Sequence, residues 1–383
     1  RRLDRTAGLI DNAVLSLAED GGHGLWLGYN TGAARVELDP AVSIYDGGNG
    51  PAPGSVDVWC RCGDTLFAGA YDGLYRLVPG DLTSGAPAHF VRDPRSIANI
   101  QFLEVVDGEL LVGGTGGLFR LGPDRIEPLV DTGENGIFYG IHSRRVPGRL
   151  YLCGKRGLTV VHKVDGRWEK EGENLELGAA HAVHEAPDGS VWISTYNRGF
   201  WSIPAADRVT DWSHARTMHY DHTHGLPAAY TWTEVISTTD GDFSFFTSAG
   251  SFRFDAAHDR LQPDERWLAA LPGSGPRMLM PQLAVGADEL WTTVLNPHGP
   301  AAAQPLGRFR LGPDGAATWE SAPPGALAEI GFAGASVLYL DRGAGRRVLW
   351  ARGYNNTVRI DLARYTTAPA PWALRLRTVE AGG

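Results

Sequence analysis

One pattern written eight times constrains this chain more than any other feature. An apolar pair opens a short strand that runs into a tight polar turn: LWLGYNTG (25–32), LFAGAYDG (66–73), LLVGGTGG (110–117), LYLCGKRG (150–157), VWISTYNRG (191–199), FSFFTSAG (243–250), LWTTVLNPHG (290–299) and LWARGYNN (349–356). Most copies start 40 to 47 residues apart, with longer intervals before the sixth and eighth. That is the period of a four-stranded blade, which cannot bury its own faces and must stack on its neighbours. A strand precedes each copy, as in AVLSLAED, ANIQFLEVVDG and HAVHEAPDG, and a third follows, read as AARVEL, LYRLV, LFRLG, LTVVHK, FWSIP, SFRFD, GRFRLG and TVRIDL. The outermost strand (VSIYDG, AHFVRD, WEKEG, TMHYDH) is polar and variable, as befits a rim.

Asp-Gly turns join first to second strands in VVDGELL, APDGSVW and TTDGDFSF, where Asp bonds nearby backbone and Gly accepts positive φ. Among 383 residues, 50 glycines and 24 prolines against 3 methionines favour short strands and tight turns over helices. The expected fold is all-β: an eight-bladed β-propeller of four-stranded antiparallel blades, with seven blades as the alternative because the seventh copy is weak. Residues 1–367 form the propeller and 368–383 an exit strand. The ring is expected to close by pairing the first segment, RRLDRTAG, with the last, TVRIDLARYTT.

The formal charge of −9 comes without a basic stripe, which argues against nucleic acid. No apolar run reaches the roughly 18 residues of a membrane span. The opening RRLDRTAGL has neither a methionine nor a signal-peptide core, and is read as the start of a piece of a longer protein. Cys60 and Cys62 point the same way on one strand and Cys153 stands apart, so buried thiols are expected rather than a bridge.

Catalytic and metal signatures are thin. His219, His222 and His224 in MHYDHTHG, with Asp221, carry ligand chemistry, but strand parity sets His219 opposite the other two. TSAGS (247–251) has no strand-to-helix elbow, and GGTGG (113–117) leads into a strand, not a helix. No metal, cofactor or catalytic residue is assigned. Carboxylate pairs such as Asp57 with Glu104 or Glu234 stay open as an acid–base alternative, because a channel could set their separation.

What remains is a binding mouth, since turns between second and third strands share a face with the connections between blades. The turns supply Tyr29, Asn30, Tyr71, Asp72, Lys155, Arg156, Tyr196, Asn197, Arg198, His298, Tyr354 and Asn355. The connections add Asn12, Asp57, Asn99, Tyr139, His181, Tyr230, Trp232 and Arg277. Flat rings beside amides, carboxylates and guanidinium groups suit a polyhydroxylated ligand, and Lys155, Arg156 and Arg198 favour an acidic one.

GLIDNAVLSLAEDGGHGLWLGYNTG (8–32) and HAVHEAPDGSVWISTYNRGFWSI (181–203) resemble the two-component regulator propeller repeat, and HYDHTHGLPAAYTWTEV (219–235) is similar to its outer-strand junction. APAPWALRLRTVEAGG (368–383) resembles the entry to the β-sandwich, named for three tyrosines, that follows such propellers. The resemblance implies the periplasmic or extracellular sensing part of a membrane-anchored bacterial hybrid histidine kinase or diguanylate cyclase. It implies a small-molecule ligand, often an oligosaccharide, or a partner protein, with homodimerisation through the parent receptor. A propeller glycosidase or polysaccharide lyase and a non-catalytic dimerisation scaffold are the alternatives.

Overall fold

The computed structural model describes residues 9–20, 24–37, 41–51, 56–81, 86–230, 232–237, 243–272, 277–286, 288–295, 306–321, 337–353 and 356–365. Strands β1 (Ser16–Glu19), β2 (Gly24–Tyr29) and β3 (Gly32–Glu37) pair in that order as a three-stranded antiparallel sheet. β4 (Val42–Tyr45) joins a different one. Six four-stranded meanders follow, each running from innermost to outermost strand. They are β5 (Val56–Cys62), β6 (Thr65–Ala70), β7 (Gly73–Val78) and β8 (His89–Arg92); then β9 (Ile100–Val106), β10 (Glu109–Gly114), β11 (Gly116–Leu121) and β12 (Ile126–Gly133). Next come β13 (Tyr139–His142), β14 (Arg149–Cys153), β15 (Leu158–Val164) and β16 (Arg167–Asn174), and β17 (Ala180–Glu185), β18 (Val191–Thr195), β19 (Phe200–Ile203) and β20 (Met218–Tyr220). The last two are β21 (Thr233–Ser237), β22 (Phe243–Thr247), β23 (Gly250–Asp255) and β24 (Arg260–Pro263), and β25 (Met278–Ala284), β26 (Glu289–Leu295), β27 (Leu306–Leu311) and β28 (Ala317–Ser321). β29 (Leu338–Asp341), β30 (Val348–Arg352) and β31 (Thr357–Asp361) are the last described strands, with β4 as their fourth.

Eight sheets thus answer the eight copies, and all eight second strands lie where the repeat places them. The local chemistry is also as expected. Asp107 and Gly108, at φ 53° and 79°, form the two-residue turn between β9 and β10, with Val106 opposite Glu109. Both central residues need positive φ in such a turn, which Asp and Gly tolerate. In APDGSVW the Asp188 carboxylate accepts from the Ser190 N–H at 2.8 Å and its hydroxyl at 2.7 Å, closing the turn ahead of β18.

Seven of the sheets make the ring. Their innermost strands touch in a closed cycle: β5 to β9, β9 to β13, β13 to β17, β17 to β21, β21 to β25, β25 to β29, and β29 back to β5. Each junction has its own buried cluster, such as Tyr151, Leu158, Val183 and Ile193 between the β13–β16 and β17–β20 sheets. Seven clusters fill seven junctions, and no side chain of β1–β3 belongs to any of them. The ring count is therefore the seven held as the alternative, with an eighth sheet beside it.

Closure also differs from expectation. Residues 1–8 lie outside the described residues, and the partner of β31 is β4: Tyr45 faces Thr357 and Val42 faces Ile360. VSIY, which reads as the rim of the first blade, is the rim of the last. The reason lies in packing. Tyr45 sits in an aromatic triad with Phe90 of β8 and Trp350 of β30, with centroids 5.4–5.6 Å apart. Each such pair adds about 0.5–1.5 kcal/mol beyond burial. Arg61–Asp341 and Arg352–Asp57, each at 2.6 Å, cross the same seam, and the Asp361 N–H donates to the Ala41 carbonyl at 2.7 Å.

Candidate functional site

A meander that starts at the ring axis puts its second turn at the same end as the entry to the next innermost strand. Backbone hydrogen bonds join the two sets directly. The Asn99 N–H donates to the Tyr71 carbonyl at 2.7 Å, Ile137 to Gly114 at 3.1 Å, Ala180 to Gly154 at 2.9 Å and Ser248 to Trp232 at 3.2 Å. Turns and entries therefore form one interlocked face. Gly199 shows why glycine ends the TYNRG turn: its φ is 76°, and a Cβ there would collide with the Tyr220 carbonyl oxygen.

His181 is the hub of this face. Its Nε2 lies 2.7 Å from the Thr233 carbonyl, which can only accept, so Nε2 carries the proton. The same nitrogen is 3.6 Å from the Glu234 carboxylate. The imidazole rests 4.6 Å from the Tyr196 ring and stacks at 6.4 Å on Trp232, while its buried Nδ1 has no partner. Trp232 itself is buried between the β21–β24 and β25–β28 sheets, so it supports the site from beneath.

Arg156 and Arg198 come together around the connection 175–179, and Lys155 precedes Arg156 on its turn. The Gly178 N–H donates to the Arg156 carbonyl at 3.0 Å, and Arg198 Nη1 donates to the Glu176 carbonyl at 3.1 Å. All three side chains are exposed, and none has a carboxylate partner among the described residues. Behind this turn the buried Asn135 side chain accepts from the Arg156 N–H at 2.8 Å and donates to Thr159 Oγ1 at 3.0 Å. Sequence reasoning missed Asn135, a loop amide whose importance comes only from its burial.

On the other side of Arg198 is a cleft of about 510 Å³, lined by Asn197, Arg198, His219, Asp221, His222, Tyr230 and Ser248 among others. His219 stacks on Trp201 at 4.2 Å and donates to the Arg198 carbonyl at 2.5 Å. The strand ends at Tyr220, and His222–His224 form a single 3₁₀ turn capped by Asp221, not the extended run assumed from strand parity. Hydrogen bonds from Thr223, together with the neighbouring imidazoles, hold the Asp221 carboxyl down at about 2. Among the described residues no three His, Cys, Asp or Glu are arranged to hold a metal ion.

Deeper in, several titratable groups are shifted by burial. Burial raises the Glu104 carboxyl, and raises Asp57 despite its ion pair with Arg352. Burial pushes Cys60 up to about 12, with Glu104 adding to it, and lowers His184 to about 4. Tyr139 is raised by burial and by the Glu234 and Glu104 charges, and Tyr196 by burial, Glu234 and Asp57. The three carboxylates named in the acid–base alternative thus share one field with two of the predicted tyrosines. Arg352, which holds Asp57, was missed because LWARGYNN offers no sign of its partner 295 residues away.

Other predicted residues do not join. Asp72 turns back to accept from the Tyr75 hydroxyl at 2.6 Å, while Tyr71 stands 72% exposed. Asn99, at φ 59°, donates to Thr115 Oγ1 at 2.6 Å and braces the neighbouring turn. Arg277 donates to the Pro272 carbonyl at 2.9 Å. Asn12, Tyr29 and Asn30 belong to the sheet outside the ring of contacts, and Tyr29 is buried there at 8% exposure. His298, Tyr354 and Asn355 lie outside the described residues.

No protein-family model matches the chain, and no curated protein matches it. Solved structures do. The extracellular domain of a hybrid two-component system of B. thetaiotaomicron superposes with a TM-score of 0.68 at 11% identity, over 94% of this chain and 47% of that one. A second such domain from the same organism gives 0.61 at 15% identity, over 92% and 47%. Virginiamycin B lyase from Staphylococcus aureus gives 0.53 at 12% identity, over 84% and 99%. The chain is a β-propeller. It spans about half the length of the two extracellular domains, and at these identities the likeness to this propeller is one of fold.

Proposed function

We propose that this propeller is the ligand-sensing, extracytoplasmic part of a membrane-anchored bacterial signalling protein. It binds a carbohydrate-like or acidic small molecule, or a partner protein, at the face that carries His181 and Arg198. The observation that carries the reading is the convergence of Arg156 and Arg198 on one inter-blade connection, with Lys155 next to Arg156 and none of the three paired with a carboxylate among the described residues, beside Tyr196 and an open cleft. Exposed cations beside flat rings suit an acid on a polyhydroxylated frame: guanidinium takes the carboxylate or sulfate, and the rings cover C–H faces. The fold likeness to extracellular domains of hybrid two-component systems agrees with this placement.

Calorimetric titration of the chain against acidic and neutral oligosaccharides tests it. Saturable binding of an acidic member, weakened about tenfold or more by Arg198→Ala with the melting temperature unchanged, is the expected result. Equal binding by the variant removes the cationic shelf from the site. Absence of binding across the panel leaves a protein partner as the ligand class.

A second reading has its own observation. Glu104, with its carboxyl raised by burial, shares the axis with Glu234 and Tyr139, the kind of arrangement that acid–base cleavage of a sugar chain requires. Breakdown of an oligosaccharide by the purified chain, abolished by Glu104→Gln, identifies that enzyme.

A further inference from the structure

The cleft beside Arg198 carries a charge that an acidic ligand has to overcome. Asp221 lines its wall, and the hydrogen bonds from Thr223 keep that carboxylate ionised at any physiological pH. Arg198, whose Nη1 donates to the Glu176 carbonyl, lines the same cleft with the opposite charge, so the two nearly cancel. Three imidazoles surround the carboxylate. His219 Nδ1 and His222 Nδ1 lie 3.9 and 3.8 Å from Oδ2, and His224 Nδ1 lies 3.5 Å from Oδ1. These distances suit the attraction of charges rather than hydrogen bonds, since the Thr223 N–H and hydroxyl hold Oδ1 at 2.8 and 2.7 Å. His219 is fixed, with Nε2 donating to the Arg198 carbonyl and its ring stacked on Trp201, over which the Arg198 guanidinium also sits at 5.8 Å. His222 is the most exposed of the three, at 64%, and it lines the cleft. The other charged groups around this wall are Arg216, the Asp259 carboxylate that accepts from the Tyr220 hydroxyl, and Arg260 beside Gly225; from the entry side Tyr230 brings a hydroxyl.

We propose that the cleft reads the acid group of its ligand through Arg198 and the imidazolium form of His222, so that binding takes up a proton and selects a polyhydroxylated molecule bearing a carboxylate, sulfate or phosphate. This rests on the reading of the face as a site for an acidic ligand, and adds what neutralises Asp221. Imidazole is the side chain whose charge changes between about pH 5 and 8. With His222 neutral, an incoming anion meets the Asp221 carboxylate. With His222 charged, the wall becomes cationic and offers the acid a charge-assisted hydrogen bond. A ligand that prefers the protonated form must, by linkage, draw a proton from solvent as it binds. A neutral sugar draws none.

The test titrates the chain calorimetrically with a galacturonic acid trisaccharide, a sulfated disaccharide and maltotriose, at about pH 5.5 and about pH 7.5, in pairs of buffers that differ in ionisation enthalpy. The expected result is that an acidic probe binds about tenfold or more tighter at the lower pH, with net proton uptake, and that maltotriose shows neither. His222→Gln should lose most of that pH dependence. Asp221→Asn, which keeps an acceptor for the turn, should tighten binding at the higher pH. Melting temperatures of both variants check that the fold is kept. An acidic probe that binds equally at both pH values, without proton uptake, overturns this inference and leaves the acidic-ligand reading standing. So does a pH dependence that His222→Gln leaves intact. Absence of binding by both acidic probes at both pH values overturns the inference together with that reading.

Discussion

The sheet that closes the ring and the sheet outside it are two outcomes of one repeat. LWARGYNN and LWLGYNTG differ little, yet Trp350 lies in a triad with Tyr45 and Phe90 while the ring of Trp26 leans out over Asp20. What separates them is the ownership of β4. The strand that follows β3 in sequence buries Tyr45 in the seam between last and first ring sheets, and among the described strands β3 pairs with β2. Local pattern therefore decides that a strand forms, and competition for buried contacts decides which sheet it completes.

The largest effect should separate the two tryptophans. Trp350→Ala removes a fully buried indole from the closing seam and should cost about 3–5 kcal/mol, read by chemical denaturation, whereas Trp26→Ala should cost less than about 1 kcal/mol. A large loss at Trp26 means that the three-stranded sheet unfolds with the ring, and the contrast fails.

Next is the polar part of the seam. Arg352 donates to the Asp57 carboxylate at 2.6 Å and to the Val56 carbonyl at 3.0 Å, so Arg352→Ala leaves two partly buried acceptors unpaired. A loss of about 1–3 kcal/mol is expected. Arg352→Lys should recover only part of it: Nη1 alone makes both bonds, but an ammonium is more strongly hydrated than a guanidinium and costs more to hold in the seam. Full recovery would reduce the residue to its charge.

The strands, their order and the turn chemistry were legible because each depends on residues a few positions apart, as in Asp107-Gly108. Ring count and closure were not, because they depend on where Tyr45 finds a cavity, and VSIY reads the same on either sheet. The site divides in the same way. Lys155, Arg156 and Arg198 were proposed from their turns, and the fold places Arg156 and Arg198 on one connection. Among the described residues the repeated tyrosines differ: Tyr29 packs inward, Tyr71 stands in solvent and Tyr196 meets His181. By register Tyr29 ends its strand opposite Gly32 as Ala70 does opposite Gly73, so it stands one place before Tyr71 in the repeat.

The ring also holds a carboxyl whose titration is shifted by burial. Because burial raises the Glu104 carboxyl above its unfolded value, the fold favours the protonated form. That contribution is complete below the ordinary carboxylate range and is lost as pH rises through the folded value. Glu104→Gln, which stays neutral, should therefore be more stable than the native chain at pH 7 and lose that advantage near pH 4. Urea midpoints across this range measure it. A variant less stable at neutral pH would show that the carboxylate has a partner that outweighs its burial.

The smallest effect belongs to the sheet outside the ring. Arg35 reaches Asp20 at 2.7 Å across β2, but both side chains are about a third exposed. Such a pair pays side-chain entropy to hold its geometry and is screened by salt, so Arg35→Ala should change stability by less than about 1 kcal/mol. The difference should vanish in molar salt. Arg61–Asp341 has the same chemistry with its carboxylate buried, and Arg61→Ala should keep its larger cost in that salt because ions cannot reach the seam. If both variants respond to salt alike, the seam is as wet as the surface, and closure rests on Tyr45, Phe90 and Trp350 alone.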